Sequence, residues 1–338
     1  MKTVRCFTSG LGRVLRSPSL VLWLYLAGLM VALPLAVGMH DILRDSIGGS
    51  LVHQNLRLGF DLDWYSQFRF YNSGIADTFG PSVVGILPVL ANLDALLSGS
   101  ALGGNSTIVF AALLFMLAWA FFGGGIIARY SRSDEPFTRT NFFANSGEYF
   151  LRFVRLLVIS ILVYLAFFAW IVSPLFGWIN RSTRDVTVEG TLILYTALVY
   201  ALVAFVLMIL GLASDYAKIS LVVEGRRSAV LAFLRGLKFV GRHPGRTIGL
   251  YLLLTLAGLV LIGVFALIAP GPNQARRLLL LLAFVLSQGF ILCRIILKLW
   301  FLASQTELYR RTQEELKQEQ PIAPPAPTRE TAASVASV

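Results

Sequence analysis

The sequence has little charge. Only 14% of its 338 residues are Asp, Glu, Lys or Arg, whereas 56% are hydrophobic, and the mean hydropathy is +0.72. A soluble domain usually has about 25% charged residues, so this composition excludes an ordinary soluble protein. We therefore expect an integral membrane protein whose long apolar runs cross the bilayer.

Histidine and cysteine are also scarce, with three and two residues. The apolar runs contain no paired carboxylates, no serine with a base and no metal-ligand cluster, which catalysis inside a membrane would need. We therefore expect no enzymatic activity, no metal ion and no cofactor. Cys6 and Cys293 both map near the cytoplasmic side of the topology predicted below, so we expect no disulfide framework.

Acidic residues are outnumbered by basic ones, 18 to 29, which gives a net charge of +11 and a pI near 10. Such an excess suits either nucleic acid or an anionic membrane surface. Because the basic residues lie beside apolar runs and not on a soluble face, the pattern favours anionic lipid headgroups, with a protein partner as the alternative, and not nucleic acid.

Six apolar runs have the length of membrane spans. If both chain ends are cytoplasmic, 22 of the 29 Lys and Arg residues fall on the inner side, as the positive-inside rule requires. The sequence thus predicts an all-α polytopic bundle of six transmembrane helices, arranged as three hairpins, with both chain ends in the cytoplasm. The predicted spans are at about 20–38, 107–128, 156–179, 191–213, 247–269 and 278–302.

The remaining segments follow from this topology. Residues 1–19 form a basic cytoplasmic N-terminus. The run 20–38 is interpreted as an uncleaved anchor, although its end also resembles a signal-peptide cleavage site. Residues 39–106 are extracytoplasmic, and 107–303 form the five-helix remainder of the bundle. The cytoplasmic tail, 304–338, begins as a charged helix and is predicted to be disordered from about 320.

Two parts of the outer segment are distinctive. The aromatic stretch 60–71 is interpreted as rings at the outer membrane interface, with a ligand-contacting surface as the alternative. Residues 81–98 are nearly long enough to span but include Pro88, Asn92 and Asp94. A full span there would move the arginine-rich segment 129–155 outside, so we predict an interfacial or re-entrant helix.

The cytoplasmic loop 214–246 contains a basic amphipathic helix. From Val230 onward, Phe233, Leu234, Leu237 and Val240 form a predicted apolar face, and Arg235, Lys238 and Arg242 form the opposite, cationic face. Pro244 then starts a new span. Such a helix lies in the headgroup plane. Its predicted contacts with lipid or a partner are Arg226, Arg227, Arg235, Lys238 and Arg242.

A shift of 226 residues aligns the N-terminus with this loop. Gly10, Arg16 and Pro18 fall on Gly236, Arg242 and Pro244, and Leu-Tyr-Leu follows in both copies. A weaker third copy keeps only an arginine followed nine residues later by tyrosine. The pattern predicts an internal repeat of helical hairpins, with chance similarity of leucine-rich spans as the alternative. The three tyrosines are Tyr25, Tyr164 and Tyr251.

Other polar residues lie in or beside the spans. Asp215 pairs with Lys218 at helical spacing, or it forms a gate with loop arginines. Arg294 and Lys298 are predicted to snorkel to the inner interface. The alternative is that they face the bundle and mark an anion or phosphate path with Gln288 and the three tyrosines.

The order Asp215-Tyr216-Ala217-Lys218, Glu224-Gly225-Arg226, Gly236-Leu237-Lys238 and Arg242-His243-Pro244 resembles poorly characterised bacterial six-span proteins. It is similar to the membrane domain joined to some glycerophosphoryl diester phosphodiesterases. The likeness covers roughly 142–302. The resemblance implies a bacterial inner-membrane bundle without an assigned reaction. The phosphodiesterase activity is not carried over, because the sequence has no soluble region large enough for the barrel of that catalytic domain.

Two functions remain open. The first is a non-enzymatic scaffold or accessory subunit that engages anionic lipid or partner proteins. The alternative is a transporter or permease for a small molecule or lipid. A permease is expected to have a polar cavity lined by the three tyrosines and Gln288, whereas a scaffold is expected to pair these groups in a solid bundle.

Overall fold

The computed structural model describes residues 2–48, 61–73, 76, 79, 106–132, 138–182, 189–269 and 277–319. These residues form helices and contain no β-strand, which confirms the predicted all-α class. In chain order the helices are α1 (Lys2–Leu15), α2 (Pro18–Ile47), α3 (Leu62–Tyr71), α4 (Ser106–Ser131), α5 (Arg139–Phe167), a π-helical turn (Phe168–Val172), α6 (Ser173–Ser182), α7 (Glu189–Val223), α8 (Ala229–Arg242), α9 (Pro244–Ile268) and α10 (Arg277–Glu319).

Six candidate membrane spans are present in the described residues, as predicted. They lie in α2, α4, α5 continued through α6, α7, α9 and α10. Their outward surfaces are leucine, valine and phenylalanine over many turns, a surface that suits lipid and not water. The protein is therefore a polytopic, multi-pass membrane helix bundle.

Two helices extend beyond their predicted spans. Helix α7 continues to Val223, ten residues past the predicted end at 213. Helix α10 has 43 residues and is about 64 Å long, roughly twice the hydrocarbon thickness. Neither extension contains Pro or Gly, so the helices continue and the predicted loop and tail begin as helix.

The packed core lies at one end of the bundle. This end, which we call the basic end, contains α1, α8 and residues 304–319 of α10. A large cluster of buried side chains joins these helices there, including Cys6, Tyr216, Phe239 and Tyr309. In contrast, residues 112–117 of α4 are all exposed. Beyond the basic end, α5, the π-helical turn and α7 remain in contact through the buried residues Phe167, Val172, Val203 and Leu207. Packing is therefore most extensive at the basic end and continues between some of the helices beyond it.

Glycines allow the closest approaches at the basic end. A Cβ atom on Gly236 of α8 would overlap the carbonyl oxygen of Ala213 on α7. A Cβ on Gly10 of α1 would overlap the Ser304 hydroxyl on α10, and one on Gly124 of α4 would lie 2.7 Å from the Tyr149 Cβ on α5. Each of these helix pairs therefore depends on a missing side chain.

The turns after α1 and α8 have the same geometry. Ser17 has φ −131° and ψ 58°, and His243 has φ −129° and ψ 51°. In both turns the next residue is a proline at the start of a span, where its missing N–H breaks no helical hydrogen bond. The two basic amphipathic helices thus lead into their spans through matching bends.

The aromatic stretch forms α3 and packs back on the end of α2. Asp61 caps α3 by accepting hydrogen bonds from two backbone amides, and Trp64 Nε1 donates to Ser46 Oγ at 3.1 Å. Trp64 and Phe68 are buried, whereas Phe70 and Tyr71 are exposed. The predicted helix at 81–98 and the predicted disorder from about 320 lie outside the described residues.

The contact of Gly236 with the α7 backbone can be tested with two glycine-to-alanine variants of α8. Gly236→Ala is expected to lose about 1–3 kcal/mol of stability, because its methyl group meets the α7 backbone, which has no rotamer to change. Gly241→Ala on the same helix, where nothing lies within 4 Å, is expected to be neutral or to gain up to about 1 kcal/mol. Thermal unfolding in detergent measures both. Equal behaviour of the two variants would contradict the close α7–α8 contact.

Candidate functional site

A cavity of about 480 Å³ lies inside the bundle, beside the packed core. Its walls come from α4, α5, α7, α9 and α10. The volume is within the range of small-molecule sites. The lining is mainly apolar, and the Trp119 indole is part of it. Its other hydrogen-bonding side chains are Ser160, Tyr164, Ser214, Asp215, Lys218, Tyr251 and Lys298.

Asp215 links two spans at the floor of the cavity. Its Oδ1 accepts from Lys218 Nζ at 2.9 Å, and its Oδ2 accepts from Gln305 Nε2 on α10 at 3.4 Å. Beside it, the hydroxyls of Ser160 and Ser214 are 3.3 Å apart. The predicted pairing of Asp215 with Lys218 is therefore present, and each oxygen of the carboxylate has a partner.

Lys298 faces the cavity. Its ammonium nitrogen lies 3.5 Å from the ring centroid of Trp119 and 5.6 Å from that of Phe115, both on α4. Cation–π attraction of this kind stabilises an ammonium group away from bulk water. Lys298 forms no ion pair with any carboxylate of the described segments, and the residue is exposed.

The predicted polar set is divided between the cavity and other places. Tyr164, Tyr251 and Lys298 line the cavity with Asp215. Tyr25 instead donates a hydrogen bond to Gln288 Oε1 at 2.7 Å, so this pair is satisfied within the bundle. Arg294 is exposed one turn before Lys298, with its guanidinium 5.8 Å from the Phe290 ring.

The predicted loop arginines fall into two groups. Arg226 Nε donates to Glu224 at 2.5 Å and Arg235 donates to the same oxygen at 2.8 Å, so both have internal partners. Tyr309 of α10 also donates to Glu224. Arg227, Lys238 and Arg242 are exposed, and Arg242 lines a second, open groove of about 390 Å³ beside α10. The predicted gate between Asp215 and loop arginines is not formed.

Helix α8 has three faces and not the two predicted. Six residues are buried against the bundle: Ala229, Ala232, Phe233, Gly236, Phe239 and Val240. A second stripe, Val230, Leu231, Leu234 and Leu237, is apolar and exposed. Arg235, Lys238 and Arg242 form the third. The predicted apolar face combines Phe233 with Leu234, but about 100° separates neighbouring residues on a helix and only Phe233 meets α7.

A second polar cluster joins the N-terminus to α10. Arg13 of α1 forms a 2.6 Å ion pair with Glu307, which also accepts from Arg311 at 2.6 Å. Trp300 Nε1 donates to the backbone oxygen of Phe7 at 2.7 Å. Sequence reasoning missed this cluster because it treated residues from 304 as a separate tail. Seven residues among 304–312 are buried, several of them polar, and their polar character hides this burial from an analysis of hydropathy.

Within the part of the chain that the structure describes, no group of three His, Cys, Asp or Glu side chains is arranged to hold a metal ion. Comparison with protein-family models, curated proteins and solved structures finds no match. The resemblance to phosphodiesterase membrane domains therefore stays a prediction.

The contacts of Glu224 with Arg226, Arg235 and Tyr309, which we call the Glu224 cluster, predict that the stability of the protein depends on pH. Burial raises the pKa of the Glu224 carboxyl, but the Tyr309 hydrogen bond and the charges of Arg226 and Arg235 outweigh it, so the pKa is lower than its ordinary value. A folded-state pKa below the unfolded one means that this stabilisation is present above about pH 4.5 and is lost as the pH falls through the folded pKa.

We therefore expect the melting temperature of the wild-type protein to fall more steeply below about pH 4.5 than that of Glu224→Gln, which has no proton to gain. Glu148→Gln is the control. Glu148 is exposed and forms a 3.7 Å ion pair with Arg152, and an exposed ion pair contributes little to stability. Parallel acid profiles for wild type and Glu224→Gln would contradict the role of the cluster.

Proposed function

We propose that this multi-pass membrane protein is a non-enzymatic carrier or permease for a small molecule or lipid, and that the 480 Å³ cavity is its binding site. The observation that supports this proposal is the grouping of Asp215, Lys218 and Lys298 around a space inside a membrane bundle. A charged residue in a span costs about 2.5–3.5 kcal/mol and usually marks an ion or substrate path.

The scaffold alternative is supported by the pairing of Tyr25 with Gln288, since a solid bundle satisfies its own polar groups. The cavity favours the carrier, because a scaffold has no use for space lined by two lysines and two tyrosines. The exposed segment 112–117 of α4 also leaves room for rearrangement, which alternating access needs.

We further propose that the basic end faces the cytoplasm of a bacterial cell and that the protein belongs to the inner membrane. Two features support this orientation. Most Lys and Arg residues belong to segments at or beside this end. Helix α8 also has an exposed leucine stripe next to an exposed cationic stripe, which suits a helix lying between lipid tails and anionic headgroups.

An internal repeat is part of this proposal. Residues equivalent under the 226-residue shift have similar burial: Cys6 and Ala232 are both fully buried, and Val14 and Val240 are 1% and 2% exposed. The matching turns at Ser17 and His243 add support. Repeated hairpins with a binding site between them are common in transporters.

Accessibility of the cavity to water tests the carrier proposal. In a background with Cys6→Ala and Cys293→Ala, Gly211→Cys is expected to react with a small charged thiol reagent in intact membranes. Gly211 lines the cavity, and a Cβ there has only the Tyr164 hydroxyl at 3.8 Å. Leu212→Cys (buried) and Leu202→Cys (lipid-facing) are the controls on the same helix and are expected to stay unlabelled. Absence of labelling at position 211 would reject the proposal.

The orientation of α8 has its own test. Backbone amides of 230–242 are expected to exchange more slowly in nanodiscs that contain phosphatidylglycerol than in nanodiscs of phosphatidylcholine alone, because headgroups bind the cationic stripe. The double variant Lys238→Gln and Arg242→Gln is expected to lose this difference. Arg235 is left unchanged because it binds Glu224. Equal exchange in both lipids for the wild type would reject the interfacial contact.

A further inference from the structure

From the charges and walls of the cavity we infer that its ligand is a membrane lipid with an anionic phosphate headgroup, and that Lys298 is the residue that binds the phosphate. This inference rests on the proposed function, because it specifies what the carrier binds.

The charges that face the cavity do not balance. Two ammonium groups, Lys218 and Lys298, face it with one carboxylate, Asp215. Asp215 is already bonded by Lys218 at 2.9 Å and by Gln305 at 3.4 Å. Lys298 has aromatic rings as its near neighbours and no ion pair in the described segments. A bound anion with one negative charge would neutralise this excess through charge-assisted hydrogen bonds.

Neutral hydrogen-bond donors line the same cavity. The hydroxyls of Tyr164 and Tyr251 and those of Ser160 and Ser214 line the cavity on the α5, α7 and α9 sides. A phosphate diester has several acceptor oxygens and only one charge, so it fits one free ammonium group and several hydroxyl donors. A dianionic or tricarboxylate ligand would lack partners for its remaining charges.

The rest of the wall is apolar, and it continues to the lipid-facing surface. Met116 lines the cavity and is 43% exposed on α4, next to Phe115, which is 41% exposed. Across from them on α10, Arg294 and Lys298 are exposed one turn apart. The side of the cavity between α4 and α10 therefore has an apolar surface for acyl chains, with two cations on α10 beside it. This combination favours a ligand from the bilayer over a soluble phosphate.

The experiment counts bound lipid. Full-length protein reconstituted in phosphatidylcholine with phosphatidylglycerol is extracted in mild detergent, and native mass spectrometry measures the retained lipids. Wild type, Lys298→Arg and Lys317→Gln are expected to retain phosphatidylglycerol in preference to phosphatidylcholine. Lys317 is exposed near the end of the same helix, so its variant controls for the loss of one charge. Lys298→Gln is expected to reduce retention about tenfold, as loss of a charged hydrogen bond predicts.

Lys298→Met guards against misfolding, because replacing a charge by an apolar chain in a span is expected to preserve the fold while abolishing binding. A third arm adds millimolar inorganic phosphate before extraction. Undiminished phosphatidylglycerol on Lys298→Gln and Lys298→Met, or equal retention of phosphatidylcholine by the wild type, would overturn the inference. Displacement of the lipid by inorganic phosphate would overturn the inference that the ligand is a lipid and not a soluble phosphate. Labelling of Gly211→Cys alongside these results would leave the carrier proposal standing, whereas an unlabelled Gly211→Cys variant would remove both.

Discussion

Helix contacts too close for a side chain hold the basic end together. Gly236 lies against the α7 backbone, Gly10 against Ser304 of α10, and Gly124 against Tyr149 of α5. In lipid, where burying apolar surface gives little advantage, such close van der Waals packing is the main attraction between helices. These contacts set the distances of α8 from α7, of α1 from α10 and of α4 from α5. The hydrogen bond from Gln305 to Asp215 then joins α10 to α7 beside the cavity.

Two carboxylates extend this packing beyond the membrane spans. Glu224 receives donors from Arg226, Arg235 and Tyr309, so it joins the end of α7 to α8 and α10. Glu307 forms ion pairs with Arg13 and Arg311, and the pair with Arg13 joins α1 to α10. A carboxylate with several cationic donors keeps its charge at little cost, whereas removing one donor leaves it undercompensated. These charged contacts thus hold together the helices at the base of the cavity.

Much of the fold could be predicted from the sequence because length, hydropathy and cation bias are local signals. The six spans could be predicted from these signals. The boundaries of α8 could also be predicted, because periodicity begins at Val230 and Pro244 starts the next helix. Contacts between distant segments could not be predicted. Arg294 and Lys298 share one helix face by spacing, yet only Lys298 lines the cavity, because the position of α4 decides it. Likewise, nothing local indicated that Tyr25 would bind Gln288, 263 residues away.

The contact of α1 with α10 has a consequence for biosynthesis. Phe7 accepts its hydrogen bond from Trp300, 293 residues later in the chain. At about 5–20 residues per second, a ribosome needs roughly 15–60 s to synthesise the intervening segment. Throughout that interval the amphipathic N-terminal helix lacks its final neighbour, so the membrane surface or a chaperone must shelter its apolar side. Completion of the bundle therefore waits for the last helix to leave the translocon.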